Sequence, residues 1–211
     1  MKNIKDLTIL GIMTAIIIVM VAVPGLGYIP IGIMNATIVH IPVIILAIVK
    51  GPKLGALLGL VFGITSILNA ILRPVITSYI FMNPLVAVLP RVLIGLGTGY
   101  IFIALDKMMK NKGVSIGISA AIGSMINTIG VLSLVFILYG RDFLEKTGRS
   151  SQTIVGALFT IAGTQGVVEM IVSVVISIPI AYALLRTYKR GKNDTINWYW
   201  EYECGFRYFW R

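Results

Sequence analysis

Residues 51–72 read GPKLGALLGLVFGITSILNAIL, and this stretch decides the class of fold. It holds one charge, on Lys53, and is long enough to cross the roughly 30 Å hydrocarbon core of a bilayer as a helix. Glycine recurs every four residues, at Gly51, Gly55, Gly59 and Gly63, which leaves one helix face free of side chains. The stretch therefore predicts a transmembrane helix with a close-packing face.

A second pair of small residues, Gly11 and Ala15, has the same spacing in the first apolar segment. Small-residue faces pack helices together within one chain, and they also dock partner proteins. The residues alone leave both interpretations open for each pattern.

The composition of the whole chain excludes a soluble domain. The 211 residues are 57% hydrophobic and 12% charged, with a mean hydropathy of +0.94, whereas soluble proteins are roughly a quarter charged. Apolar runs of spanning length predict an all-α integral membrane protein with six transmembrane helices in one bundle within residues 1–190. The expected spans are about 7–24, 33–49, 52–72, 83–105, 113–139 and 156–188.

Residues 191–211 differ abruptly from this pattern, because aromatic side chains alternate with charges of both signs. Aromatic residues favour the membrane interface, so an interfacial segment is one interpretation. A disordered tail and an artefact of expression are the others, and the tail is excluded from the fold prediction.

The distribution of charge predicts the orientation in the membrane. Six spans place both termini on one side, and that side carries eleven basic residues against four on the other. By the positive-inside rule both termini are cytoplasmic, in a multi-pass protein of the cell membrane. Topology and contact with anionic lipid then account for the net charge of +10, and no nucleic-acid partner is expected.

Polar side chains within the spans are concentrated in their outer halves. Such residues are expensive in a bilayer and mark function by default. The cytoplasmic halves contain only Thr, Ser and Tyr as polar interruptions. This asymmetry predicts a polar pocket, open to the outside above an apolar floor, that binds a small polar molecule. The candidate substrate-binding residues are Arg91, Asn127, Glu169, Gln165, Asn83, His40 and Asn69.

Structural alternatives exist for the main candidates. Arg91 and Glu169 could neutralise each other as a buried ion pair, although desolvation makes that a weak source of stability. His40 could be a packing histidine, and Asn127 an interhelical hydrogen-bonding clamp.

The sequence does not indicate an enzyme. Glu169 is the only acid within a span, which excludes paired carboxylates, and the glycine–lysine order at residues 51–59 does not match a phosphate-binding loop. A single histidine and the single Cys204 provide no metal site, and no cofactor is expected.

Several motifs together resemble one known family. They are Ala36–Ile44 (ATIVHIPVI), Gly51–Ala56 (GPKLGA), Phe62–Ser66 (FGITS), Asn83–Gly95 (NPLVAVLPRVLIG) and Asn127-Thr128. Over about residues 5–190 the chain resembles the substrate-binding S components of energy-coupling factor (ECF) vitamin transporters. Within that family it most resembles the pantothenate type, with cobalamin and folate types as alternatives. The aromatic tail has no counterpart in the family pattern.

The resemblance implies six helices that bind a vitamin at the outer face. It also implies a transmembrane coupling protein (the T component) and two ATPase subunits as partners, with Gly11 and Ala15 on the face that docks the coupling protein. ATP hydrolysis would then belong to the partners. A stand-alone proton-coupled carrier with Glu169 as its titrating group is the alternative from a different class. In either class, we expect the loop 73–83 and the stretch 24–30 to close over an occupied pocket.

Overall fold

The computed structural model describes residues 4–23, 25–31, 34–74, 78–147, 156, 160 and 162–190. The elements in chain order are α1 (Ile4–Ala22), β1 (Tyr28–Ile31), β2 (Met34–Thr37), α2 (His40–Lys50), α3 (Pro52–Leu72), α4 (Ser78–Phe81), α5 (Pro84–Met108), α6 (Lys112–Thr147), a π-helical turn (Ala162–Gly166) and α7 (Val167–Arg190). Five helices of this described part are long and apolar enough to cross a membrane. Helices cover the first, third, fourth and fifth predicted spans to within a few residues, apart from the extension of α6 to Thr147, while the number of six spans and the orientation of the termini stay predictions.

The prediction of a helix over residues 33–49 is wrong in its first part. Met34–Thr37 is a strand, antiparallel to Tyr28–Ile31, and the helix begins only at His40. A short apolar run does not by periodicity distinguish a strand from a helix. The resulting α2 has 11 residues, about 16 Å at the usual rise per residue, which is shorter than a bilayer core.

The last predicted span, 156–188, also differs at its start. The regular helix α7 begins at Val167, after a π-helical turn that contains Gly163 and Gly166. Glycine destabilises the interior of a regular α-helix relative to most other residues, so two glycines here lower the cost of forming a wider π-helical turn instead. Of residues 156–161 only 156 and 160 are described, and the tail 191–211 lies outside the described residues.

The short helix α2 forms the centre of the bundle. Every residue from His40 to Val49 is buried, and the helix contacts α1, α3, α5, α6 and α7. A helix that is apolar on all sides requires such a position. The core around it continues into Leu58 and Phe62 of α3 and Ile94 of α5.

The glycine ladder of α3 packs inside the chain, against the main chain of α5. A methyl group at Gly55 would meet Ala47 of α2 and Gly95 of α5, one at Gly59 would overlap the carbonyl of Arg91, and one at Gly63 would meet Val88. Of the two interpretations of the ladder, intramolecular packing is therefore confirmed for these positions. Gly51 instead joins α2 to α3 with a φ of 90°, a conformation that favours glycine.

Gly59→Ala is expected to lower the free energy of unfolding by about 1–3 kcal/mol, because the added methyl group would push α3 away from α5. Gly11→Ala is the matched control, since nothing lies within 4 Å of a Cβ there. Thermal unfolding of both variants in detergent measures the difference. Equal stabilities would show that the helices move apart at no cost.

The pair of small residues in α1 does not pack inside the chain. Gly11 and Ala15 are both exposed on α1, whose buried residues are Ile17 and Val21 on another face. Ala15 also lines a shallow apolar groove together with Ile12, Ile16, Val19, Met20 and Leu26. Intramolecular packing is therefore excluded for this pair within the described chain, and the face is open to lipid or to a partner.

The helix directions place the two ends of the described chain together. Gly55 faces Gly95 and Gly63 faces Val88, so α3 and α5 are antiparallel. Gly117 faces Ile178 and Thr128 faces Gly166, so α6 and α7 are antiparallel as well. The start of α1 reaches the end of α2 through an ion pair of 2.8 Å between Asp6 and Lys50. We call the end of the bundle that contains this ion pair the terminal end. The opposite end, which contains the β-hairpin, Asn83 and Val167, is called the hairpin end.

Candidate functional site

The hairpin end contains a cluster of buried polar side chains contributed by the hairpin and four helices. Thr37 is the last residue of β2, and His40 is the first residue of α2. Arg91 lies two turns into α5, Thr128 lies on α6, and Glu169 lies in the first turn of α7. All of these except the half-buried Thr128 are at most 7% exposed. We call this set the polar cluster. The structure thus brings together Arg91, His40 and Glu169, which the sequence placed on three separate helices.

The Glu169 carboxylate is held by hydrogen bonds from the chain. The Thr37 N–H donates to Oε1 over 2.6 Å, and the Thr128 hydroxyl donates to Oε2 over 3.3 Å. A carboxylate offers about four acceptor sites, so further donors are accommodated.

The structural ion pair that the sequence allowed between Arg91 and Glu169 is not formed. The two charges interact electrostatically, but the described side chains include no acid within ion-pair distance of Arg91. Arg91 and Glu169 are therefore buried in the same cluster without forming an ion pair with each other. Two buried groups of opposite charge that do not pair directly offer partners to a polar ligand.

Arg91 has little compensation for its buried charge. Its Nη1 donates to the Val86 carbonyl over 2.8 Å, and its Nε is buried with no hydrogen-bond partner. Its Cζ lies 5.4 Å from the ring centroid of Phe62 and 5.6 Å from that of Phe81. Aromatic faces attract the cation, but they leave the N–H donors unused. The guanidinium is thus ready to receive an anion, and planar bidentate pairing with a carboxylate suits its geometry.

His40 is fully buried below Glu169, in the middle of the bundle. Its Nε2 lies 2.8 Å from the Ser173 hydroxyl, one turn along α7 from Glu169. The backbone of Thr37 also interacts with the imidazole, although Nδ1 makes no well-aligned hydrogen bond. The contact with Ser173 supports a packing role for one ring nitrogen. The other nitrogen leaves a buried polar atom for a ligand or a water molecule to satisfy.

Asn127 lies at the same depth on α6. It is 3% exposed, and its Oδ1 has no hydrogen-bond partner. Gly123 and Gly130, one turn away on either side, contact Thr98 and Pro90, so this face of α6 packs on α5. The interhelical clamp that the sequence allowed is not formed through this oxygen, which remains available to a donor.

The remaining candidates lie around the polar cluster with different surroundings. Gln165 is 8% exposed in the π-helical turn, a distortion often found at functional sites. Asn69 is half-buried near the end of α3. Asn83 caps α5 by accepting from the Leu85 N–H over 3.0 Å, and its Nδ2 donates to the Tyr139 hydroxyl over 3.1 Å. Asn83 thus has a structural role at the start of α5, whatever it contributes to a ligand.

The sequence prediction missed several residues of the site. Thr37 and Thr128 contact Glu169, and Ser173 contacts His40. The rings of Phe62 and Phe81 lie against the guanidinium of Arg91, and Tyr28 contacts Ser66. Ser173 follows Glu169 by four residues, and this helical spacing was the one signal that could have identified it. The Tyr28 hydroxyl lies 3.2 Å from that of Ser66, and burial raises the pKa of Tyr28 above its ordinary 10.0, so the phenol stays neutral near Arg91.

The fold and the site together define a class: a helical membrane protein with charged and amide side chains buried at one end. Comparison with known proteins narrows this class. The family described as "ECF transporter, substrate-specific component" matches residues 5–181. The chain therefore belongs to the substrate-specific components of ECF transporters, and it is a multi-pass transport protein of the cell membrane.

Two curated relatives refine the comparison. The pantothenate transporter PanT of Leuconostoc mesenteroides subsp. mesenteroides is 31% identical over 197 residues, which covers 89% of this chain and 95% of that protein. The pantothenic acid transporter PanT of Lactococcus lactis subsp. cremoris is 28% identical over 167 residues, covering 72% and 79%. Both alignments are long enough to include most of the bundle. The resemblance inferred from the motifs is thereby confirmed.

Proposed function

We propose that this protein is the pantothenate-binding subunit of an ATP-driven ECF importer. The observation that carries the proposal is the buried guanidinium of Arg91, which has an unpartnered Nε and no acid within ion-pair distance among the described residues. Pantothenate carries one carboxylate, one amide and two hydroxyl groups. Its carboxylate would provide the negatively charged partner that the buried guanidinium of Arg91 lacks among the described residues. The names of the two relatives indicate the same vitamin.

The other polar groups match the uncharged part of this ligand. The Asn127 Oδ1 can accept a hydrogen bond from a ligand hydroxyl, and the His40 Nδ1 can accept or donate one according to its tautomer. Gln165 is buried near the start of α7, one turn before Glu169. The carboxylate of Glu169 would repel the carboxylate of the ligand but would accept a hydrogen bond from a ligand hydroxyl. The ligand would therefore lie with its carboxylate toward Arg91. Asn69 and Asn83 would lie near the entrance. The substrate-binding set is therefore Arg91, Asn127, His40, Gln165, Glu169, Asn69 and Asn83.

The orientation follows from the charge distribution. The lysines and arginines near the terminal end predict that it faces the cytoplasm, and the hairpin end then faces outward. In the described middle of the bundle, the buried polar groups below His40 and Asn127 are hydroxyls, and charged side chains are found again only at the terminal end, where Lys50 pairs with Asp6 and Lys112 with Asp106. The described residues thus form no polar route to the cytoplasm, which favours a binding subunit over a stand-alone carrier.

Coupling to ATP requires partners. The sequence contains no phosphate-binding loop, so ATP hydrolysis would belong to two ATPase subunits joined through a transmembrane T component. The exposed face of Gly11 and Ala15 on α1 is the proposed docking face, since small residues let another helix approach closely.

Calorimetric titration of the purified protein tests the ligand assignment. Pantothenate should bind tightly without ATP or partners. Pantothenol, which has an alcohol in place of the carboxylate, should bind about 100-fold or more weakly because Arg91 would stay unpaired. Equal affinities would contradict the pairing with Arg91. Tight binding of cobalamin or folate, with none of pantothenate, would contradict the choice of vitamin.

A further inference from the structure

The base of the β-hairpin is attached to the bundle at two points. Tyr28 of β1 and Thr37 of β2 are direct partners in the antiparallel register. The Tyr28 hydroxyl lies 3.2 Å from that of Ser66 on α3, and the Thr37 N–H donates to Glu169 on α7 over 2.6 Å. The hairpin base therefore spans from α3 to α7, on either side of the polar cluster.

Thr37 connects three parts of this region. Its hydroxyl donates to the Gly27 carbonyl over 3.4 Å and accepts from the Val39 N–H over 3.3 Å at the entry to α2. The neighbouring Ile38 N–H also donates to Gly27, over 3.0 Å. A contact that fixes the position of Thr37 therefore fixes the base of both strands and the start of α2.

The contact between Thr37 and Glu169 is stronger than an ordinary loop contact. It is a short hydrogen bond in a buried setting, since the two atoms are 2.6 Å apart and Glu169 is 7% exposed, and when the carboxyl group is ionised such bonds are roughly twice as strong as neutral ones. The Thr128 hydroxyl orients the other carboxylate oxygen. Among the described residues no cation lies within ion-pair distance of Glu169, so these donors are its direct stabilisation.

We infer that Glu169 is a positioning residue that anchors the β-hairpin to α7 and so shapes the ligand pocket before the ligand arrives. The part of this inference that concerns the ligand rests on the proposed function. Binding to a pocket that is already ordered avoids the loss of conformational freedom that ordering a segment requires. Loss of the anchor should therefore weaken binding even if the ligand never touches Glu169.

Hydrogen exchange of the empty protein tests the anchor directly. In Glu169→Ala, amides of the peptide that contains Thr37 and Ile38 should exchange about tenfold faster or more than in the unchanged protein. Glu169→Gln keeps an acceptor oxygen without the charge, and a smaller acceleration of a few-fold is expected. Asp106→Asn is the matched control, because it removes a carboxylate at the terminal end and should leave this peptide unchanged.

The affinity of the same variants for pantothenate, measured by titration, completes the test. The anchor predicts that affinity falls in step with the acceleration of exchange, by about tenfold in Glu169→Ala and less in Glu169→Gln. Unchanged exchange in folded Glu169→Ala, or in Glu169→Gln if the alanine variant does not fold, would overturn the inference even if affinity were lost. Failure of the unchanged protein to bind pantothenate would instead refute the proposed ligand, and exchange in the empty protein would still decide the role of Glu169.

Discussion

Arg91→Ala is expected to weaken pantothenate binding by about 100-fold or more while the protein stays folded. Removing one partner of a buried charged contact costs about 2–5 kcal/mol, and Arg91 is 3% exposed. The rings of Phe62 and Phe81 would then border an apolar gap, which suits neither the ligand carboxylate nor water. Calorimetric titration in detergent measures the change in affinity.

Two further arginine variants make this prediction specific. Arg91→Lys keeps the charge but loses the planar fork of donors, so an intermediate loss of affinity is expected. Arg186→Ala removes an exposed arginine near the terminal end and should bind pantothenate normally. Normal affinity in folded Arg91→Ala would show that the ligand carboxylate binds elsewhere.

Ala15→Trp and Gly11→Trp are expected to abolish uptake while leaving pantothenate affinity unchanged. Both residues are exposed on α1, away from the polar cluster, and an indole there would hold a docking helix away. Co-purification with the T component and ATPases, together with uptake into vesicles, measures the effect.

The control places the same side chain on another exposed face. Val175 on α7 is 63% exposed, and Val175→Trp should be accommodated by lipid without loss of assembly. Full assembly and uptake in both α1 variants would show that the docking face lies elsewhere on the bundle.

The long helices and the polar end of the bundle were predictable because their signals are local. Residues 52–72 match α3 at both ends, and the Asn83-Pro84 pair begins α5 as an N-cap followed by proline should. The hydropathy of a span and the cost of a buried charge are properties of short segments. The sequence therefore indicated that Arg91, His40 and Glu169 matter, although not how they are arranged.

The hairpin and the contacts of Glu169 were not predictable from the same signals. Residues 34–37 read MNAT, a run too short for its alternation to predict a strand, and pairing with residues 28–31 makes them one. The Thr37 N–H is a backbone donor, which no residue type reveals. Its partner Glu169 lies 132 residues away, so the contact exists only in the folded chain. The expected closing loop at 73–83 contains the helical turn α4, and the stretch 24–30 contains the start of β1. Residues 75–77 and 24 lie outside the described part, and the closure of both segments stays a prediction.

Uptake of labelled pantothenate into proteoliposomes tests the central claim most directly. The protein alone should bind pantothenate but accumulate none, with or without a pH gradient. Reconstituted with its T component and ATPases, it should accumulate the vitamin only when ATP is supplied. Accumulation by the protein alone, driven by a pH gradient and lost in Glu169→Gln, would contradict the account and indicate a proton-coupled carrier.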